Sequence, residues 1–179
     1  MLLCCTGDTL DSPNRNAFPK TKTELLSYPQ GNEMFLIARE ALKNVGKWDS
    51  TYKQLYDKNP NKFCRGYGIF QYDLQHFKTN PNYFLKKEWR NFEKCLNLLL
   101  QELIAAQQRT PRLKNKTILN STEKVFTAIA YNRGSVNMDG DFKQGHKNIS
   151  TGKYYGELIS HSLKSHYFSF NKNSGFFFF

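Results

Sequence analysis

The stretch NPNYFLKKEWRNFEKCLNLLLQEL, residues 80–103, carries the strongest fold signal in the chain. Asn80 and Pro81 are residue types favoured at the cap and the first position of a helix. Beyond them the apolar residues recur every three or four positions, as along one face of an α-helix. These apolar residues are Leu85, Trp89, Phe92, Leu96, Leu99 and Leu103. The pattern predicts one helix of about six turns, and we expect it to be the central helix of the fold.

Four further helices are predicted, over residues 33–45, 51–57, 120–130 and 153–163. The first has Met34, Ala38 and Ala41 on one face, and Gly46 follows it as a stop signal. Asn120 and Glu123 have the spacing of a capping box, which marks a helix start. No segment alternates long enough to predict a strand. The predicted fold class is therefore mostly α.

The domain organisation is predicted from composition along the chain. Residues 1–32 are rich in Asp, Asn and Pro without a period, so they are expected to be an irregular segment, or the remainder of a longer chain. A helical domain is expected over residues 33–165. Residues 166–179 end in four consecutive Phe, and we expect a disordered or aberrant tail there.

The charge of the chain restricts its partners. The 179 residues have a net charge of +11 and a pI near 9.5, which favours an anionic partner such as nucleic acid, an anionic membrane surface or a cell-wall polymer. No apolar run reaches the ~18 residues of a membrane span. The first five residues lack the features of a signal peptide.

The four cysteines do not have the spacing of a zinc site. Cys4 and Cys5 are adjacent, whereas Cys64 and Cys95 stand alone. Free or buried thiols are the simplest interpretation. A Cys64–Cys95 disulfide is the alternative, and it would require an oxidising compartment.

Two short glycine-marked segments combine flat apolar side chains with hydrogen-bonding groups. They are YGIFQYD, residues 67–73, and AYNRG, residues 130–134. Their order and content resemble the Gly-Leu-Met-Gln and Ala-Tyr-Asn-x-Gly signatures of lytic transglycosylases and related lysozyme-like enzymes, including goose-type lysozymes. The resemblance spans about residues 35–160. It implies a lysozyme-like helical domain with a substrate groove, which would need no metal and no cofactor.

The resemblance assigns roles to individual residues. Glu40, on the helix before the first motif, corresponds to the catalytic general acid. A glycosidase acid of this kind usually has a raised pKa in a sheltered cleft. The substrate-binding residues implied by the motifs are Gln71, Tyr72, Asp73, Tyr131, Asn132 and Tyr155. Tyr131 and Asn132 match the pair that holds the substrate's acetamido group.

The assignment of the acid leaves alternatives open. Ala41 replaces the Ser that usually follows the catalytic Glu, and the interval to Gly68 is longer than in compact transglycosylases. Glu40 could instead be a solvated residue paired with Lys43 or Lys47. The rival acids are Asp73, Glu33 and Glu157.

The predicted function is cleavage of the glycan strand between N-acetylmuramic acid (MurNAc) and N-acetylglucosamine (GlcNAc) in peptidoglycan. One alternative is a non-catalytic wall-glycan-binding module on the same scaffold. Another is a basic helical domain that binds nucleic acid, although no specific nucleic-acid motif is present. A wall-active enzyme is expected to be secreted or periplasmic, and the sequence has no export signal of its own.

Overall fold

The computed structural model describes the backbone of residues 16–173 and the side chains of residues 16–165. The described part is mostly helical, as predicted. The chain divides into two compact units, Met1–Leu99 and Leu100–Phe179. In the first unit the elements are α1 (Lys22–Leu26), α2 (Gly31–Val45), α3 (Ser50–Lys58), β1 (Gly66–Tyr67), β2 (Tyr72–Asp73), a 3₁₀ helix (Leu74–Lys78), α4 (Pro81–Leu85) and a second 3₁₀ helix (Glu88–Arg90). The unit boundary falls within α5 (Phe92–Arg109), and the second unit contains α6 (Ser121–Arg133) and α7 (Tyr155–Asn173).

Helix α2 confirms the helix predicted over residues 33–45, with two more residues at its start. Its apolar face is buried at Met34, Ala38 and Ala41. At Gly31 the backbones of α1 and α2 approach so closely that an added Cβ would lie 1.8 Å from the Leu25 carbonyl oxygen. Only glycine fits there. Glu40 is on the exposed side of the helix.

Helix α3 confirms the short helix predicted over residues 51–57. Asp49 caps it by accepting hydrogen bonds from the N–H groups of Thr51 and Tyr52. The Arg39 guanidinium on α2 donates to the carbonyls of Tyr56, Asn59 and Lys62. This one side chain therefore fixes the end of α3 and the following loop to α2.

The single helix predicted from Asn80 to Leu103 is wrong. The structure has α4, a 3₁₀ helix and α5 in its place, with breaks at Lys87 and Asn91. Lys87 is left-handed (φ 53°) and Asn91 is extended (φ −98°, ψ 121°), so neither continues an α-helix. The breaks allow Trp89 to be buried in the core of the first unit.

Strands β1 and β2 form a two-stranded antiparallel hairpin, with Gly66 opposite Asp73 and Tyr67 opposite Tyr72. Each strand has two residues, too short for a period-2 pattern to be detected in the sequence. The hairpin packs on an aromatic core in which Tyr67, Phe77, Tyr83 and Phe84 are buried.

The second unit has a smaller core of Leu113, Val125, Phe126 and Ile129. Helix α6 begins with the predicted capping box of Asn120 and Glu123. It ends at Gly134, which is left-handed (φ 87°), as expected for a C-terminal glycine.

The ends of the chain differ from the predictions in two places. Helix α1 lies within residues 1–32, which were expected to be irregular; Thr21 caps it. Helix α7 begins at Tyr155 and continues to Asn173, so residues 166–173 of the expected disordered tail are helical. The four Phe that close the sequence lie outside the described residues.

Cys64 and Cys95 are buried and are not joined in a disulfide, so the alternative of a bridge between them is wrong. The Cys95 thiol donates to the Trp89 carbonyl at 3.3 Å and lies 3.4 Å from the Tyr83 hydroxyl. Cys4 and Cys5 lie outside the described residues. Within the described part, no helix is long and apolar enough to cross a membrane.

Candidate functional site

Glu40 contacts a lysine from a distant part of the sequence. Lys87 Nζ donates to a Glu40 carboxylate oxygen at 2.6 Å, and 51% of the Glu40 side chain is exposed. This hydrogen bond lowers the pKa of Glu40; partial burial opposes the effect, and the charges of Lys87, Arg90 and Lys47 lower the pKa further. Glu40 is therefore ionised at neutral pH. The raised pKa expected of a sheltered acid is not present in the free protein.

Lys87 reaches Glu40 from a turn with fixed geometry. Its left-handed backbone costs a non-glycine residue about 1 kcal/mol. Its N–H donates to the Phe84 carbonyl at 3.0 Å, and its own carbonyl accepts from the Arg90 N–H at 3.1 Å. Trp89, only 3% exposed, anchors the turn in the core. The backbone position from which the Lys87 side chain extends is thus set by the fold.

Gln71 ends the turn between β1 and β2. It is exposed and left-handed (φ 56°), and its side-chain amide donates to the Gly68 carbonyl at 3.1 Å. The preceding Phe70 packs against Phe92, with ring centroids 6.2 Å apart, and Phe92 is itself 58% exposed. Phe92 opens α5 directly after the 3₁₀ turn that follows Lys87. An exposed aromatic surface therefore adjoins Gln71.

Tyr72 and Asp73 make contacts that serve the fold. The Tyr72 ring stacks on His76, with centroids 4.4 Å apart and planes 15° apart, and on Phe84 at 5.8 Å. Asp73 caps the following 3₁₀ helix by accepting from the Gln75 N–H at 2.7 Å. Their predicted contact with a glycan stays a prediction.

The three alternative candidates for the catalytic acid lie at or near the N-termini of helices. Asp73 caps a 3₁₀ helix, and Glu157 accepts from the Tyr154 N–H at 2.9 Å at the start of α7. Glu33 is an exposed residue in the first turn of α2. A carboxylate at a helix start can accept hydrogen bonds from backbone N–H groups that have no partner within the helix, so these positions favour structural roles.

Asn132 and Tyr155 meet at one loop of the second unit, and Tyr131 is near enough to Tyr155 for the two phenols to interact electrostatically. The Asn132 side-chain oxygen accepts from the His146 N–H at 2.9 Å. A Cβ added to Gly145 would lie 2.9 Å from both this oxygen and the Tyr155 Cβ. Burial raises the pKa of Tyr131, and the neighbouring Tyr155 adds to the effect. Both phenols are therefore protonated at neutral pH and can donate hydrogen bonds.

The predicted site residues thus form two groups. Glu40 and residues 71–73 belong to the first unit, whereas Tyr131, Asn132 and Tyr155 belong to the second. Sequence reasoning missed the contact of Lys87 with Glu40, because the two residues are 47 positions apart and a local pattern does not relate them. It also missed Gly145, whose φ of +88° and close neighbours are visible only in the folded chain.

The two aspartates of the loop after α6 are engaged within the protein. Asp139 forms a bidentate ion pair with Arg112, with N–O distances of 2.6 and 3.0 Å. Asp141 accepts from the Lys143 N–H at 2.9 Å. Among the described residues, no three His, Cys, Asp or Glu side chains are grouped to hold a metal ion.

No protein-family model, curated protein or solved structure matches this chain.

Proposed function

We propose that this chain is a peptidoglycan glycosidase with a lysozyme-like helical fold, in which Glu40 is the general acid and then the base. The observation that carries the proposal is the approach of Asn132 and Tyr155 to each other at Gly145, with Tyr131 near enough to Tyr155 to interact with it electrostatically. The motif resemblance assigned these three residues to the substrate before any geometry was known, and they lie on two different helices. Their phenol and amide groups suit the hydroxyl and acetamido groups of an amino sugar.

The proposed role of Glu40 requires a change in its surroundings when glycan binds. An acid must be protonated to donate to the bridging oxygen. A sugar that displaces Lys87 and water from the carboxylate would remove the hydrogen bond that lowers its pKa, and would add burial that raises it. Half of the side chain is exposed, so a ligand has access to it.

The charges around Glu40 favour a lytic transglycosylase over a hydrolase. A hydrolase needs a second carboxylate or a positioned water on the opposite face of the sugar. The charged side chains that act on the pKa of Glu40 are those of Lys87, Arg90 and Lys47, and all three are cations. A transglycosylase needs no second carboxylate, because the substrate's own 6-hydroxyl closes an anhydro ring.

The test is mass spectrometry of the products released from purified peptidoglycan sacculi. We expect anhydromuramyl products. Reducing-end products would replace the transglycosylase assignment with a hydrolase, and the absence of any product would overturn the glycosidase proposal.

A second candidate, a non-catalytic glycan-binding module, is favoured by the Glu40–Lys87 ion pair itself. The Glu40 carboxylate is ionised and half exposed. We expect this state at a glycan-binding surface that has no catalytic acid. Sedimentation of the protein with sacculi distinguishes the two. A binding module sediments with sacculi, releases no product, and is retained equally when Glu40 is replaced by Gln.

A further inference from the structure

The second unit contains a cavity between α6, α7 and the loop that joins them. Its volume is about 300 Å³, which is within the range of small-molecule binding sites. Three apolar side chains form its walls: Val125 of α6, Phe142 of the loop and Leu163 of α7. The residues assigned to the glycan are not among those that line it. The cavity is therefore separate from the proposed glycan site.

The walls of the cavity are held in place by close packing. The Phe142 ring meets the buried Phe126 ring edge to face, with centroids 5.3 Å apart. At Gly156, in the first turn of α7, an added Cβ would lie 2.6 Å from both Ile129 Cδ1 and the Phe142 carbonyl oxygen. The Gly156 N–H also donates to the Gln144 carbonyl at 3.1 Å. The shape of the cavity is thus set by tightly packed elements.

Ser160 places a hydroxyl group in the wall of this cavity. The residue is only 9% exposed, and its hydroxyl forms no hydrogen bond within the part of the chain that the structure describes. A buried hydroxyl without a partner is unfavourable, because it has lost its hydrogen bonds to water. A ligand in the cavity with an oxygen acceptor would give Ser160 the partner that the fold does not provide.

The first turn of α6 adds backbone donors on the opposite side. Ser121 and Thr122, the first two residues of this 13-residue helix, both line the cavity. N–H groups at these positions have no acceptor within the helix, and a helix N-terminus favours an anion. The carboxylate in the same turn, Glu123, is paired with Lys116 and with the Asn120 N–H, and it does not line the cavity.

Lys164 is the one charged side chain that lines the cavity. It is exposed, and it forms no ion pair with any residue between 16 and 165. Lys164 lies four positions after Ser160 on α7, a spacing that puts the two side chains side by side on a helix. An ammonium group, a hydroxyl group and a helix N-terminus therefore border one apolar cavity. Together they suit a ligand with an anionic oxygen group and an apolar body.

We propose that this cavity binds a medium-chain fatty acid. The carboxylate contacts Ser160, Lys164 and the first turn of α6, and the hydrocarbon chain packs against Val125 and Leu163. About ten non-hydrogen atoms fill the cavity if each takes the ~30 Å³ of a water molecule in the liquid, and octanoate has this size. The inference is independent of the proposed glycan function, because none of these residues is assigned to the glycan.

The test is a ¹H–¹⁵N NMR titration of the full chain with three ligands that separate the two parts of the site. Octanoate has both parts, 1-octanol has the chain without the charge, and acetate has the charge without the chain. We expect octanoate to shift the amide signals of Val125, Ser160 and Leu163. Octanoate should bind at least about tenfold more tightly than either other ligand, because it alone combines charge-assisted hydrogen bonds with apolar burial.

Ser160→Ala should weaken octanoate binding about tenfold, the effect of one hydrogen bond to a charged group, and should leave 1-octanol binding unchanged. Lys164→Gln should also weaken octanoate binding alone. Lys114→Gln is the matched control, since Lys114 is an exposed lysine of the same unit that does not line the cavity.

Three results would overturn the site. They are the absence of octanoate-dependent shifts at the cavity amides, equal affinity for octanoate and 1-octanol, and an octanoate affinity that is unchanged in either variant. The spectra of the variants without ligand show whether each one is folded, so a loss of binding is not confused with a loss of structure.

Discussion

At the scale of single residues, the ion pair with Lys87 lowers the pKa of Glu40, the proposed catalytic acid. Lys43 and Lys47 are within one or two helical turns of Glu40, so an ion pair with one of them was the alternative interpretation of this residue. The partner is Lys87, which a local pattern cannot identify because the contact depends on the fold of the intervening chain. Lys47 contributes only through its charge.

Replacing Lys87 by Met should raise the pKa of Glu40, because the donor that lowers it is removed. Carboxyl ¹³C NMR titration measures this directly, with Lys86→Met as a control at the adjacent exposed lysine. If the protein is a glycosidase, the alkaline limb of the pH profile of kcat/KM should move to higher pH, because Glu40 stays protonated up to a higher pH. An unchanged Glu40 titration would show that Lys87 does not control its ionisation.

The same pair has a predictable effect on stability. A carboxylate with a lowered pKa stabilises the fold above its unfolded-state pKa, and the stabilisation is lost as the pH falls through the folded-state value. Lys87→Met should therefore lower the free energy of unfolding at neutral pH, by less than about 1 kcal/mol because the pair is half exposed. The difference should vanish where Glu40 is protonated.

Gly68 is a residue whose replacement should disturb the hairpin that positions Gln71. An alanine Cβ there would lie 2.7 Å from the Cys95 sulfur and 3.0 Å from the Tyr83 hydroxyl, at φ +76°. We expect Gly68→Ala to cost about 3 kcal/mol in urea unfolding, from overpacking and left-handed strain together. Gly152→Ala is the control: its φ is +68°, nothing lies within 4 Å, and strain alone should cost about 1 kcal/mol. An equal loss of unfolding free energy in Gly68→Ala and Gly152→Ala would mean that the packing around Gly68 is not tight.

At the scale of elements, the signals that succeeded were local. The Asn120–Glu123 capping box predicted the start of α6, because a capping box acts within one turn of the helix. The apolar periodicity of residues 80–103 predicted one continuous helix, and this prediction was wrong for a physical reason. Periodicity indicates which residues are buried and does not show that the backbone between them is continuous. Trp89 lies in a 3₁₀ turn and is buried, whereas Phe92 is exposed although it lies at a position where the apolar periodicity predicts a buried residue.

Asn132 lies at the end of α6, where its oxygen holds the loop and its amide is proposed to bind the substrate. Asn132→Asp keeps the acceptor for the His146 N–H but loses the amide donor. Asn132→Ala loses both. We therefore expect slow hydrogen exchange at the His146 amide in wild type and Asn132→Asp, and faster exchange in Asn132→Ala.

Binding of the GlcNAc–MurNAc disaccharide should be weakened in both Asn132 variants, because each lacks the amide donor. Normal glycan affinity in Asn132→Asp would contradict the proposed role and leave Asn132 as a loop-anchoring residue alone.

At the scale of the whole molecule, composition predicted a basic, mostly helical chain, and the helical character is confirmed. The division into two units with separate cores was not predicted, because the apolar residues of both cores are distributed over helices of similar pattern. The motif resemblance assigned Tyr131, Asn132 and Tyr155 to the substrate, and that role stays a prediction. The Glu40–Lys87 contact was not predicted, because it joins distant segments of the chain.

The most direct test of the proposed function is the rate of muropeptide release from sacculi by wild type, Glu40→Gln and Glu33→Gln. Glu33 is the matched control, since it is an exposed glutamate on the same helix. If Glu40 is the acid, its variant should release products about 10²–10⁴-fold more slowly, and Glu33→Gln should match the wild type. Release by Glu40→Gln at the wild-type rate would contradict the assignment of Glu40 as the catalytic acid.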